Sequence, residues 1–189
     1  MQKFKAFLHH VFIDGLSGMA LGLFATLIVG TILAQLASAI PGAAGAWASA
    51  VAGTAKVLTG AGIGVGTAHR LGQKPYVVLS AATAGMVGAF ASKILNQSFF
   101  ADGAVHLAGP GEPLGAFIAA MVAIDVGRLV AGKTKIDILI TPLVSIVSGS
   151  AVGLVLGPPI SDFMAGIGAM VNWGTEQQPL LMGVVVSVL

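Results

Sequence analysis

The chain has no cysteine and very little charge. Only 8% of its 189 residues are Asp, Glu, Lys or Arg, whereas soluble domains carry about 25%. The missing cysteine excludes disulfides and thiolate metal sites, and leaves the redox compartment open. So few charges cannot cover a water-facing surface, which excludes an ordinary soluble domain. A formal net charge of +2 also gives no basis for binding nucleic acid.

Long apolar runs make up most of the chain. Hydrophobic residues account for 56% of it, and glycine for 27 residues. A membrane-spanning helix needs about 20 mostly apolar residues. The runs that meet or approach this length are 15–40, 46–68, 76–92, 113–131 and 136–157. The sequence therefore predicts an all-α, polytopic transmembrane helical bundle with about five full spans in a lipid bilayer.

A sixth apolar run begins at Pro179 and stops at Leu189. A helix of this length rises only about 16 Å, roughly half the hydrocarbon thickness. We therefore expect a truncated sixth span. Residues 1–189 are expected to form a single permease-like domain that is the N-terminal portion of a longer protein.

The basic residues predict the orientation of the spans, because short cytoplasmic loops are rich in Lys and Arg. With the N-terminus in the cytoplasm, the inner segments carry most of the nine basic residues. They are Lys3, Lys5, Arg70, Lys74, Arg128, Lys133 and Lys135. The sequence thus predicts a multi-pass protein of the bacterial inner membrane with a cytoplasmic N-terminus.

The first twelve residues are amphipathic. Phe4, Phe7, Leu8 and Val11 share one helical face, which is typical of a helix lying along the inner leaflet. We expect residues 1–12 to form such an interfacial helix. The alternative is a frayed tail.

Two glycine-containing motifs resemble nucleotide-binding loops. "GRLVAGKT" (127–134) fits the phosphate-binding pattern, and "GAGIGVG" (60–66) resembles a dinucleotide fingerprint. Such loops need a preceding buried strand, and both motifs instead fall in or beside long apolar runs. We interpret the first as the cytoplasmic end of the fourth span and the second as a helix-packing face.

A short internal match suggests a repeat. "SGMALGL" (17–23) and "SGSAVGL" (148–154) are identical at five of seven positions, and both lie in spans predicted to run outward. Internal repeats are common in transporters. The alternative is that two glycine-rich packing faces converged.

Prolines are expected to bend or end helices. Pro142 lies in the first turns of the fifth span, and "GPPISDF", with Pro158 and Pro159, is predicted to end it. Residues 160–171 are apolar but too short to cross and return, which suits a re-entrant or interfacial segment. An outer loop with a short helix is the alternative.

Two ionisable residues lie deep within predicted spans, where charge is costly and usually functional. Counted from the predicted outer ends, Lys56 lies about 15 Å deep and Asp125 about 18 Å deep. This similar depth predicts an ion pair on a substrate pathway, together with Pro142, Pro158 and Pro159. In the alternative, Asp125 binds Arg128 one turn away while Lys56 extends outward.

Recognisable catalytic chemistry is absent from the sequence. The histidines at 9, 10, 69 and 106 do not share a span at ligand spacing, so we predict no metal site. No nucleophile, base and orienting group occur together. We predict no catalytic residues and no cofactor.

The stretch "GKTKIDILITPLVSIVSGSAVGLVLGPPISDFM" (132–164) resembles the enzyme IIC type 2 family of the phosphotransferase system, also called perfringolysin O regulator-like. "FIDGLSGMALGLFATLIVGTIL" (12–33) is similar to the start of that family. Family members are polytopic and roughly twice as long. The resemblance implies translocation of a sugar or related solute, coupled to phosphorylation by cytoplasmic phosphotransferase components. It implies no particular binding residues here.

The sequence thus predicts an integral membrane permease that acts on a small solute, is a homo-oligomer and lacks its own phosphorylation site. The alternative is a membrane-embedded regulator or scaffold that transports nothing. A continuous polar cavity near Lys56 and Asp125 would favour the permease. A tightly packed, glycine-lined bundle would favour the scaffold.

Overall fold

The protein is helical within the part that the structure describes. This computed structural model describes residues 2–98, 100–101 and 104–177, with 183 and 187. The α-helices are α1 (Gln2–Leu8), α2 (Leu16–Leu23), α3 (Val29–Ser38), α4 (Gly42–Val57), α5 (Thr59–Arg70), α6 (Pro75–Ala89), α7 (Ala91–Leu95), α8 (Pro113–Val130) and α9 (Asp137–Gln177). A two-stranded antiparallel hairpin, β1 (Phe100–Ala101) and β2 (Ala104–Val105), precedes α8. The predicted helical class is confirmed.

The first three α-helices form one continuous rod, which we call the N-terminal helix. Two π-helical segments, His9–Gly15 and Phe24–Ile28, join them without a break. The apolar part runs from Lys5 to Ser38, 34 residues that include an 18-residue window with a mean hydropathy of 2.1. It is about 50 Å long, so it must tilt or extend beyond a hydrocarbon core of about 30 Å. No break separates residues 2–12 from the rest of this helix, and the interfacial role of residues 1–12 stays a prediction.

Neighbouring helices touch through glycine backbones. A Cβ on Gly18 would lie 2.7 Å from the Gly66 carbonyl oxygen, and one on Gly60 would lie 2.7 Å from the Gly85 oxygen. Between α6 and α8, a Cβ on Gly115 would meet the Gly88 oxygen at 2.8 Å. Helices in lipid associate by such close approach, because no hydrophobic effect brings them together. "GAGIGVG" is therefore a packing face, as predicted.

The phosphate-loop motif is also helical. Residues 127–130 form the last turn of α8, and the following turn carries Gly132 at φ 82°. No strand precedes it, since the segment before Gly127 is α8 itself. The interpretation of this motif as a helix end is confirmed.

One end of the bundle collects basic residues, and we call it the basic end. Arg70 Nη2 lies 3.9 Å from the Asp14 carboxylate, and Arg128 Nη2 lies 3.1 Å from that of Asp125. Lys74 Nζ donates a hydrogen bond of 3.4 Å to the carbonyl oxygen of Ala131. The N-terminal helix, α6 and α9 run away from this end, and α5 and α8 run towards it.

The prediction that Pro158 and Pro159 end the fifth span is wrong. Helix α9 continues through both prolines, and through Pro142, for 41 residues from Asp137 to Gln177. Each proline removes one backbone hydrogen bond. In lipid, an irregular segment would leave several backbone groups without partners, each at a cost of several kcal/mol. A continuous helix loses only the hydrogen bonds of the prolines, which costs less free energy. Residues 160–171 accordingly form a helix, not a re-entrant loop.

The described residues contain fewer helices of spanning length than the five spans predicted. Among the residues that the structure describes, three helices could cross a membrane by length and composition: Lys5–Ser38, Pro113–Val130 and Asp137–Gly174. The pair Gly42–Val57 and Thr59–Arg70, bent by 52°, would make a fourth. Helix α6 is apolar but shorter. The truncated sixth span falls on residues 179–189, which lie outside the described ranges except for 183 and 187.

Both copies of the short internal match lie in helices that run away from the basic end. A Cβ on Gly22 would lie 2.5 Å from the Ile63 backbone nitrogen, and one on Gly149 would lie 2.6 Å from the Ala119 carbonyl oxygen. Each copy thus presents its glycines to a neighbouring helix. The repeat itself stays a prediction.

Candidate functional site

Several helices are interrupted at one level of the bundle. Helix α4 bends into α5 at Leu58, α6 ends at Ala89, and α8 begins at Pro113. The backbone N–H of Glu112 donates a hydrogen bond of 2.7 Å to the Ala89 carbonyl, so the end of α6 lies beside the start of α8. A Cβ on Gly60 would lie 2.8 Å from the Ala89 Cβ, so the bend between α4 and α5 also lies beside the end of α6. We call this level the break layer.

The break layer lies inside the thickness of a bilayer. Along α8 it is about 22 Å from Arg128, and along α5 about 16 Å from Arg70. The hydrocarbon core is about 30 Å thick. Both distances are shorter than this thickness, so a bilayer with one interface at the basic end covers the interruptions. Irregular backbone at this depth is tolerated only where it is buried in protein or lines a cavity.

A cleft opens at the break layer, with a cavity volume of about 350 Å³. Its walls come from the end of α6, from α7, from the loop before α8 and from α9. They are Gly88, Ala89, Phe90, Ala91, Ser92, Lys93, Ala108, Pro110, Gly111, Glu112, Gly157 and Ser161. This volume is in the range of small-molecule sites.

The loop before α8 closes on the end of α6 through Gly111. Its φ is 70°, and a Cβ there would lie 2.6 Å from the Ala89 carbonyl oxygen. Both the backbone conformation and the close approach require glycine. The loop is therefore held against α6, and its next residue, Glu112, is placed at the cleft wall.

Glu112 is the acidic group of the cleft. It is the N-cap of α8, and its Oε1 accepts a hydrogen bond of 3.3 Å from the Leu114 backbone N–H. Burial raises the pKa of Glu112, and the hydrogen bond from Leu114 partly opposes that rise. A half-buried carboxyl at a helix N-terminus can both accept and, when protonated, donate hydrogen bonds to a ligand.

This raised pKa predicts a pH-dependent effect of Glu112→Gln. At a pH below the usual Glu range, the carboxyl is protonated in both the folded and the unfolded chain and costs nothing. As pH rises, the unfolded chain ionises first, so the wild type loses stability relative to the variant. We expect the thermal midpoint of Glu112→Gln in detergent, minus that of the wild type, to increase from pH 4 to pH 7. A constant difference would contradict the prediction.

Lys93 is a basic group of the same cleft. Its Nζ donates a hydrogen bond of 2.8 Å to the Ala108 carbonyl and lies 5.4 Å from the centroid of the Phe90 ring. Phe90 itself is 1% exposed. The ammonium is thus fixed between the loop and the end of α6 by a hydrogen bond and a cation–π contact.

Lys56 lines a second cavity beside the cleft. This cavity, of about 530 Å³, is bounded by α4 and by Leu107, Ala108 and Gly109. Ala108 borders both cavities. One short loop segment therefore separates the Lys56 side from the Lys93 side.

The structure does not pair Lys56 with Asp125. Asp125 Oδ1 instead lies 3.1 Å from His10 Nε2 and 3.1 Å from Arg128 Nη2. The alternative contact between Asp125 and Arg128 is confirmed. Lys56 contacts the N-terminal helix at Gly30, where a Cβ would lie 2.8 Å from its Cγ.

The prediction that Lys56 and Asp125 lie at a similar depth is wrong, and the reason is geometric. Asp125 packs at His10 and Lys56 packs at Gly30 of the same helix, so roughly 25–30 Å of helix separates them. Counting from outer ends assumed that both spans begin at one level. Helix α8 in fact begins at the break layer, whereas α4 starts well beyond it and bends at Leu58.

The predicted pathway residues divide into two groups. Pro158 and Pro159 lie between Gly157 and Ser161, which both line the cleft. Pro142 lies near the start of α9, towards the basic end with Asp125. The cleft residues Glu112, Lys93 and Gly111 were missed. The signal for Gly111 and Glu112 was "GPGEP" (109–113), a cluster of turn residues around one carboxylate between two apolar runs.

Apolar helices of spanning length and irregular backbone at bilayer depth define an integral membrane protein. Comparison with protein families then gives a match to residues 13–189 by the family described as "Phosphotransferase system, EIIC". The chain belongs to this family of phosphotransferase-system membrane components. Comparisons with curated proteins and with solved structures found no match.

Proposed function

We propose that this chain translocates a small solute, a sugar or a related hydroxylated compound, and that the cleft at the break layer binds it. The supporting observation is that interrupted helices and a half-buried carboxylate meet at a cavity within bilayer depth. Transporters place their solute sites at discontinuous helices near the middle of the membrane. Carboxylate oxygens, hydroxyls and freed backbone groups are suited to a solute with many hydroxyl groups.

The proposed pathway connects the cleft to the basic end. Lys56, Pro158 and Pro159 lie beside the cleft, while Asp125 and Pro142 lie towards the basic end. Between the two levels the helices are packed glycine to glycine, so in this conformation the route towards the basic end is closed. Separation of these helix–helix contacts would open the route, as alternating access requires. The protein would act in the bacterial inner membrane, N-terminus in the cytoplasm, as a homo-oligomer with cytoplasmic phosphotransferase components.

The second candidate is a membrane-embedded scaffold without transport. The glycine-lined contacts among the N-terminal helix, α5, α6 and α8 favour it, since such packing needs no solute. The two candidates differ in what they predict for the cleft. A scaffold does not need Glu112, whereas a permease does.

Uptake of labelled sugars separates the two candidates. Vesicles would hold the full-length protein with its cytoplasmic components, and a panel of sugars would be tested on the wild type, Glu112→Gln and Asp162→Asn. Asp162 is an exposed carboxylate on α9 next to the cleft residue Ser161, so Asp162→Asn is the matched control. We expect at least a tenfold loss of uptake in Glu112→Gln and little change in Asp162→Asn. Wild-type vesicles that accumulate no member of the panel would support the scaffold.

A further inference from the structure

Two ammonium groups flank the break layer without a carboxylate partner among the residues that the structure describes. Lys93 hydrogen-bonds the Ala108 carbonyl and lies over Phe90, while Lys56 lines the neighbouring cavity. The ion pairs formed within the described ranges involve His9, His10, Arg70 and Arg128, and neither of these lysines. A charge at membrane depth is costly unless something compensates it.

The charges that the described residues bring to the two cavities do not cancel. Among the described residues that line them, Glu112 is the one carboxylate, and two lysines face the same cavities. Its carboxyl is held by the Leu114 backbone N–H at the start of α8, not by either lysine. Burial also disfavours its ionised form. The described walls of the cavities therefore carry an excess of positive charge.

We propose that the solute of this permease carries an anionic group, and that Lys56 and Lys93 select it while Glu112 binds its hydroxyl groups. The solute class is a small hydroxylated acid, such as a sugar carrying a carboxylate. This inference rests on the proposed transport function and adds the charge of the solute to it. The segment Leu107–Gly109 lies between the two lysines, so both can reach a solute at this segment.

An anionic group could also come from a lipid headgroup, because the same ammonium groups would bind a lipid phosphate. The two sources share the chemistry of an anionic oxygen and differ in their response to membrane composition. A solute site keeps its selectivity in a bilayer of any charge. A headgroup site would be filled by anionic lipid, which would then exclude an anionic solute.

Equilibrium binding of matched neutral and acidic sugars tests the proposal. The full-length protein in phosphatidylcholine nanodiscs would be titrated with glucose against glucuronate and with galactose against galacturonate, which differ only at C6. We expect the uronates to bind at least tenfold more tightly. Lys56→Gln and Lys93→Gln should each remove most of this preference. Lys56→Arg should keep it, and so should Lys133→Gln, a control in the loop between α8 and α9 at the basic end.

Each contrary outcome has a distinct meaning. Neutral sugars that bind as tightly as the uronates would overturn the proposal and leave the transport function standing. If neither the neutral sugars nor the uronates bind, the proposed transport function is contradicted as well. A preference for uronates that disappears in nanodiscs containing phosphatidylglycerol would assign the lysines to a lipid headgroup and overturn the proposal. Loss of folded protein in Lys56→Gln would be recognised by its unfolding profile, with Lys56→Arg and Lys93→Gln as the remaining tests.

Discussion

Gly22→Leu is expected to abolish the folded, monodisperse protein. Gly22 of α2 faces the backbone of α5, where a Cβ would lie 2.5 Å from the Ile63 nitrogen and even closer to Gly62. Backbone atoms cannot move aside as a flexible side chain can. The N-terminal helix would have to separate from α5 along the whole seam, including Gly18 against Gly66. Overpacking a single site typically costs about 1–3 kcal/mol, and separation of a seam affects several contacts at once.

The control for this variant is Gly168→Leu. Gly168 is also a helical glycine, in α9, and a Cβ there would have nothing within 4 Å. Both substitutions gain helix propensity, so their difference reports the close approach alone. Size-exclusion profiles and thermal midpoints in detergent would be compared. We expect Gly22→Leu to aggregate and Gly168→Leu to elute as the wild type does. Equal profiles would show that the α2–α5 seam is not what holds this bundle together.

Gly111→Ala is expected to abolish solute binding in a protein that still folds. The methyl group would meet the Ala89 carbonyl, where it would lie 2.6 Å from the oxygen. The loop would be pushed away from α6, and Glu112 with it. The Glu112 N–H bond to Ala89 would be lost, and the cleft would lose its acidic wall. We expect more than a tenfold weaker affinity, measured with the tightest-binding sugar or sugar acid of the panel.

Gly72→Ala provides a control away from the cleft. Gly72 has φ 63° and Gly111 has φ 70°, so alanine is strained at both positions. At Gly72, however, a Cβ would have nothing within 4 Å. The variants therefore share the conformational cost and differ in the contact with Ala89. Equal losses of affinity would show that strain in a turn, and not the position of Glu112, controls binding.

Much of the architecture could be predicted from the sequence, because lipid permits few choices. Apolar runs of span length become helices, and glycines spaced four apart become contact faces. The basic residues Arg70, Lys74 and Arg128 do meet at one end of the bundle, as the orientation rule required. These features depend on local composition, which a sequence displays directly.

The site was harder to predict, because it depends on where helices start relative to one another. Asp125 and Lys56 were placed at one depth by counting from helix ends, yet those ends lie at different levels. Pro158 and Pro159 were expected to end a helix that continues through them. Glu112 and Gly111 lie in a loop that looked external in the sequence and that packs against the end of α6. Such folding back depends on tertiary contacts such as Gly111 against Ala89.

The reactivity of two single cysteines tests the central claim that a water-accessible solute cleft lies within a lipid-surrounded bundle. The native chain has no cysteine, so each variant would carry one thiol. Ser161→Cys places it in the cleft, while Val155→Cys places it on the outer face of the same helix, at a residue that is 72% exposed in the structure. In nanodiscs, we predict that an aqueous thiol reagent modifies Cys at 161 at least tenfold faster than Cys at 155, despite the greater geometric exposure of position 155. Equal rates, or faster reaction at 155, would contradict the account.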